Sequence, residues 1–300
     1  MKYFSVILLF LFVYSSYSFC QSSGPGPGDD LTKVGELIED KRYAEAEVIL
    51  EKLISKNKKR ADLHYSLSLI FFYENKIGEA EKEAELAVNL GGYGADYHCL
   101  LGLCYERDVK TADTTRQVFL RRKIKEEFLT AIASNPRDVR SRFELAQYYF
   151  ATPDSLGGNE NKAIEQANIV LKLNEIQGRF LLARIYFHQR RYDLTEVQCS
   201  ILEKKIDDDP NYYVFYNYYG YVLLYQGKID TAIEKFRKQV ALAPNDANAH
   251  DSLGEGLLKK GLLEESLAEY NRALEIDPNF KNAGEKVRQI KKMIERGEKN

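Results

Sequence analysis

From Ala247 to Phe280 the apolar residues fall at helical spacing twice. Leu253 and Leu257 share one face, Gly261 interrupts the pattern, and Leu263, Leu267, Tyr270, Ala273 and Leu274 resume it until Pro278. The pattern predicts a helix, a turn and a second helix, with Gly254 placed where the two could approach closely. Neither helix could bury its stripe alone. The window recurs thirty-four residues earlier: Gly254 falls on Gly220, Leu257 on Leu223, Gly261 on Gly227, Tyr270 on Phe236 and Pro278 on Pro244. Self-similarity at this period predicts a stacked array of helix pairs, in which each pair touches its neighbours and no single central core exists.

The residue types at these positions resemble the tetratricopeptide repeat. Leu253, Gly254, Leu257, Ser266, Tyr270, Ala273 and Pro278 follow its pattern, as do Tyr216, Tyr219, Gly220, Leu223, Ala232, Phe236 and Pro244 one repeat before. Ser266 and Gln239 stand where the family has Ala, and the chain has no Trp. The resemblance implies an all-α, right-handed superhelix of about seven helix-turn-helix repeats with a C-terminal capping helix.

Taken in order, residues 1–20 read as an export signal: Lys2, an apolar run from Tyr3 to Tyr14, then small residues. Two fates stay open. Cleavage before Gln21 would release a soluble chain, and lipidation of Cys20 would anchor it through the Gly/Pro-rich stretch 21–30. Phe19 is bulky where a lipoprotein signal has a small residue. Repeats are expected at 27–59, 60–93, 94–137, 138–175, 176–212, 213–246 and 247–280, and a cap at 281–300. The third carries a ten-residue insertion at Asp108–Gln117 that delays its second helix, and the fourth a widened turn at Thr152–Asn161. Insertions at turns are what a stacked array accepts. Val287, Ile290 and Ile294 form the cap's narrow apolar stripe.

A net charge of −2 with both signs interleaved lacks the basic footprint of a nucleic-acid binder. Cys99, Cys104 and Cys199 lack disulfide or zinc spacing and read as small buried apolar residues. His64, His98 and His250 share one repeat position in different repeats, which argues for packing and against a shared metal. No phosphate loop, nucleophile elbow or HExxH helix occurs. The chain is therefore expected to be no enzyme and to hold no cofactor or metal.

The resemblance also implies that positions 2, 5, 9, 12 and 13 of each first helix line the concave side. Those positions hold Tyr65, Leu69, Phe72 and Tyr73 in the second repeat, Arg140, Phe143, Gln147 and Phe150 in the fourth, and Phe180, Arg184, Phe187 and His188 in the fifth. The sixth offers Asn217, Tyr221, Leu224 and Tyr225, and the third Asp96, Cys99, Leu103, Glu106 and Arg107. Aromatic pairs seven residues apart recur as Tyr65/Phe72, Phe143/Phe150 and Phe180/Phe187. Such rings either form a groove that docks a protein or an extended peptide, or stack between adjacent first helices. Arg140 and Arg184 would pair with a partner's acid or with a neighbouring carboxylate. The Lys/Asn carboxylate clamp of some family members is absent, since its positions hold Tyr65/Leu69, Phe143/Gln147 and Phe180/Arg184. The expected partner-binding set is Tyr65, Phe72, Tyr73, Arg140, Phe143, Phe150, Phe180, Arg184, Phe187, Asn217, Tyr221 and Tyr225. The expected function is a scaffold of the cell envelope, in the periplasm or bound to the envelope, or alternatively a lipid-anchored subunit of an outer-membrane or secretion assembly. A membrane would be touched only through Cys20.

Overall fold

The computed structural model describes residues 30–207 and 209–297. The expected export signal and Cys20 lie outside these residues. Among the described residues all regular structure is helical, with no strand. The chain forms two compact units. The N-terminal unit holds α1 (Asp30–Glu39), α2 (Tyr43–Lys56), α3 (Ala61–Tyr73), α4 (Ile77–Gly91), α5 (Ala95–Asp108), α6 (Thr114–Ser134), α7 (Val139–Ala151), α8 (Glu160–Leu173) and most of α9 (Glu175–His188). The C-terminal unit takes the last residues of α9 from Tyr186, then α10 (Tyr192–Ile206), α11 (Tyr213–Tyr225), α12 (Ile229–Leu242), α13 (Ala247–Lys260), α14 (Leu263–Ile276) and α15 (Lys281–Glu295).

Within each unit, helices pair as the repeat predicts, and the pairing rests on a small residue facing a ring. A Cβ added at Gly102 would meet Phe128 at 2.7 Å, at Gly220 Phe236 at 2.4 Å, and at Gly254 Tyr270 at 3.1 Å. Phe128, Phe236 and Tyr270 are fully buried there. The turns between paired helices need one left-handed residue. Gly227 and Gly261 supply it at φ 74° and 83°, while Asn75 and Arg190 adopt φ 61° and 58° at the same task.

The shared histidine position has a definite structural role. His64 Nδ1 lies 2.6 Å from Glu83 Oε2 and its Nε2 3.1 Å from the Lys58 carbonyl. His98 sits between Glu127 (2.6 Å) and the Gly92 carbonyl (3.2 Å), and His250 between Glu269 (2.7 Å) and the Pro244 carbonyl (3.0 Å). Each ring thus ties a first helix to its second helix and to the preceding turn. His and Glu are 19 residues apart in two of these pairs and 29 in the third. The ten-residue insertion therefore leaves the helix register intact.

That insertion does not form the loop expected at Asp108–Gln117. Only residues 109–113 lie between the helices, and α6 runs for 21 residues. Asp113 caps its N-terminus by accepting from Arg116 N at 3.0 Å. The added residues join the helix because, after one capped start, extending it adds one backbone hydrogen bond per residue. The widened turn at 152–161 contains a short 3₁₀ segment, Asp154–Leu156, fastened where Tyr148 Oη donates to the Leu156 carbonyl at 3.0 Å. At the C-terminus, Ala283, Val287 and Ile290 of α15 cover the core of the last pair, while Ile294 stays largely exposed.

Gly178 marks the tightest helix approach in the N-terminal unit. A Cβ there would stand 2.2 Å from Leu171 Cα and 2.3 Å from its backbone nitrogen, atoms that cannot rotate away. Gly178→Ala should therefore destabilise this unit by about 1–3 kcal/mol. Gly78→Ala, where nothing lies within 4 Å, is the control expected to be neutral or better. Equal urea midpoints for the two variants would refute the close approach.

Candidate partner-binding face

The inner face is built by the first helices, and its rings do not form an open groove. Phe143 is 2% exposed, Phe180 3%, Phe72 and Phe150 8%, and Asn217 3%. These five residues offer no docking area, which corrects the expectation drawn from the stripe. Phe72 and Phe150 are covered from neighbouring first helices. Arg107 of α5 lies over the Phe72 ring of α3 at 4.7 Å, and Arg184 of α9 over the Phe150 ring of α7 at 5.6 Å. Tyr65 of α3 meets Tyr97 of α5 with centroids 5.4 Å apart. Of the two readings of the rings, stacking between helices holds for Tyr65, Phe72 and Phe150. Phe187 behaves likewise in the C-terminal unit: it packs on Tyr218 and Tyr225 at 5.9 and 5.2 Å and is half-buried.

Tyr65, Tyr73, Arg140, Arg184 and Tyr221 keep partial solvent access, and Tyr225 is 54% exposed. Arg184 donates to Gln147 Oε1, and Gln147 Nε2 donates to Glu144 Oε2 at 2.5 Å. It thus satisfies itself within the protein. In the C-terminal unit Asn217 Nδ2 donates to Gln239 Oε1 at 3.1 Å and to Ser252 Oγ at 2.6 Å, while Tyr221 Oη donates to Glu255 at 2.9 Å. Asn217 is a seam between α11, α12 and α13, and Tyr221 joins α11 to α13.

What remains for a partner on the N-terminal unit is a polar floor. Asp96 and Arg140 occupy the same position in neighbouring repeats once the insertion is counted. Burial, reinforced by Asp138 and opposed by Arg140, pushes the Asp96 carboxyl up to about 7. Burial raises Glu106 despite Lys110, Arg184 and Arg107, and raises Glu144, with Glu106 adding to it. The buried Arg140 Nε has no acceptor among the described residues. Burial also lifts the Tyr65 phenol beside it. A buried donor left unmatched is costly to a folded protein, and Arg140 lies near enough to Asp96 to oppose the rise of its carboxyl.

Burial pushes the Cys99 and Cys104 thiols up to about 12, the opposite of what a nucleophile needs. Among the described residues no group of His, Cys, Asp and Glu is arranged to hold a metal ion, and no helix is long and apolar enough to cross a membrane.

Residues 220–279 match the model of a tetratricopeptide repeat family. Comparison with curated protein sequences gives no match. Among solved structures the chain is similar to yeast Tom70 (TM-score 0.67, 15% identity), covering 94% of this chain and 62% of that one. It is similar to a tetratricopeptide repeat protein from Parabacteroides merdae (0.62, 17%), covering 92% of this chain and 99% of that one. It is also similar to a chain of the APC/C hetero-tetramer Cut9–Hcn1 (0.63, 16%), covering 94% of this chain but only 52% of that one. These identities speak to the fold. Residues 220–279 carry tetratricopeptide repeats by direct match, and the described helix pairs elsewhere are similar in fold to proteins built of such repeats.

Proposed function

We propose that this chain is a non-catalytic scaffold that holds a protein or extended peptide on the polar floor of its N-terminal unit. Proteins of this fold are generally interaction scaffolds. The observation that carries the reading is the buried Arg140 Nε, which has no acceptor among the described residues, beside the Asp96 carboxyl that burial pushes up to about 7. An extended backbone offers N–H donors and carbonyl acceptors in alternation. Asp96 and Glu106 would take its N–H groups or a basic side chain, and Arg140 a carbonyl. Rings that already fill the space between helices serve to hold this floor rigid.

The test is a triple variant, Asp96→Ala with Glu106→Ala and Arg140→Ala, used as bait beside the unaltered chain. A partner held by the unaltered chain should be lost by the variant while its helical spectrum persists. Retention of that partner by the variant would remove this floor from the reading. The charged start and apolar run at residues 2–14 support export to the envelope. Cys20, followed by a Gly/Pro-rich tether, favours a second reading as an anchored subunit. The mass of the mature N-terminus separates them: a free Gln21 supports soluble export, and an acylated Cys20 supports the anchor.

A further inference from the structure

We infer that the outer face of α4 and α6 is a two-fold interface with a second copy of this chain. Six of the ten large apolar side chains exposed among the described residues gather there: Leu86, Leu90 and Tyr93 on and just beyond α4, and Val118, Phe119 and Leu129 on α6. The two helices lie side by side. Arg116 of α6 reaches Glu81 of α4 at 3.6 Å, and at the other end Ser134 Oγ donates to the Tyr93 carbonyl. Apolar side chains concentrated in this way on a charged surface mark an interaction site.

The charges say what covers it. Helix α4 carries four Glu against one Lys, a net −3, and α6 carries five basic residues against two Glu, a net +3. Some of these charges are used internally, as in Glu83 with His64 and Glu127 with His98. Facing out, α4 keeps Glu79 and Glu85, the latter also accepting from Tyr105 Oη at 3.1 Å. Helix α6 keeps Arg122 with the half-buried Lys123 and Lys125, Arg122 and Lys123 lying 3.5 and 3.6 Å from Glu126 on the same helix. A surface with an acidic half and a basic half is self-complementary. A two-fold axis between the helices lays α4 of each copy on α6 of the other, so every residue pair occurs twice. Opposite charges then flank the apolar row and fix its register. An anionic membrane would be drawn to α6 but repelled by α4. The long α6 that makes this face exists because of the insertion in the third repeat, so other repeats cannot reproduce it.

Sedimentation of the full chain over a concentration series tests the inference. The unaltered chain should sediment as a dimer, and Phe119→Asp or Leu90→Asp as a monomer with unchanged helix content. Val197→Asp, at an exposed apolar position on α10, should leave the dimer intact. Glu79→Lys with Glu85→Lys should dissociate it, as should Arg122→Glu with Lys123→Glu, and mixing these two variants should restore a dimer between them. A monomeric unaltered chain would overturn the inference, whether it stays alone or binds anionic vesicles through Phe119. So would a dimer that survives Phe119→Asp, or charge-reversed variants that stay apart when mixed.

Discussion

Phe143→Ala or Phe180→Ala should lower the stability of the N-terminal unit by about 3–5 kcal/mol, the cost of removing a buried phenyl ring and leaving its cavity. Phe143 and Phe180 are 2% and 3% exposed, on α7 and α9. Urea unfolding followed by circular dichroism reads the loss, and hydrogen exchange in α7 and α9 locates it, since stability in a stacked array is carried by neighbouring pairs. A loss below about 1 kcal/mol, the ordinary range for a surface position, would return these rings to the surface and reopen the aromatic groove. The same reasoning rules out a test of binding by deleting these rings: lost capture would report lost folding. The polar residues of the floor are the sites to alter.

Asp251→Asn should stabilise the C-terminal unit, and the gain should grow with pH. Asp251 is fully buried on α13; its Oδ1 accepts from Asn282 Nδ2 at 2.7 Å and its Oδ2 has no donor. Burial pushes this carboxyl from 3.8 up to about 6, with Asn282 opposing the rise and Glu255 adding to it. A carboxyl raised in the fold binds its proton more tightly there than in the unfolded chain, so its contribution to stability falls as pH rises from 3.8 to about 6. Asparagine cannot ionise and escapes that loss. The variant should match the parent near pH 4 and exceed it at pH 7 by on the order of 2–3 kcal/mol, since each tenfold difference in proton affinity between the folded and unfolded chain is worth about 1.4 kcal/mol. Melting curves at the two pH values decide it. A variant that gains nothing at pH 7, or as much at pH 4, would show that Asp251 is not held against its charge.

The fate of the aromatic stripe shows where sequence reading stops. The helical period, the thirty-four-residue repeat and the glycine-against-ring contacts at Gly220 and Gly254 were all legible, because each is a local rule repeated. Position in the repeat alone misplaces Phe143, Phe150 and Phe180, which it puts on an open surface. A better signal was available: α7 is buried without a break from Phe143 to Phe150, and its sequence carries apolar residues on every side. A helix apolar all round is enclosed by protein. Asp96 and Arg140 were legible as members of the inner stripe, but the unmatched Arg140 Nε was not. Hydrogen-bond partners lie on other helices, and no spacing within one chain segment reports them.

The sequence by itself determined the all-helical repeat, its turns and the ring-to-glycine seams, because those depend on residues within one period. Only the tertiary structure decided which faces stay open. In the N-terminal unit, Arg107 of α5 and Arg184 of α9 cover the Phe72 and Phe150 rings, the insertion becomes added length in α6, and Leu86, Leu90, Val118, Phe119 and Leu129 on α4 and α6 stay exposed. Exposure depends on how neighbouring pairs approach, and that distance is set by side chains from three or four helices at once.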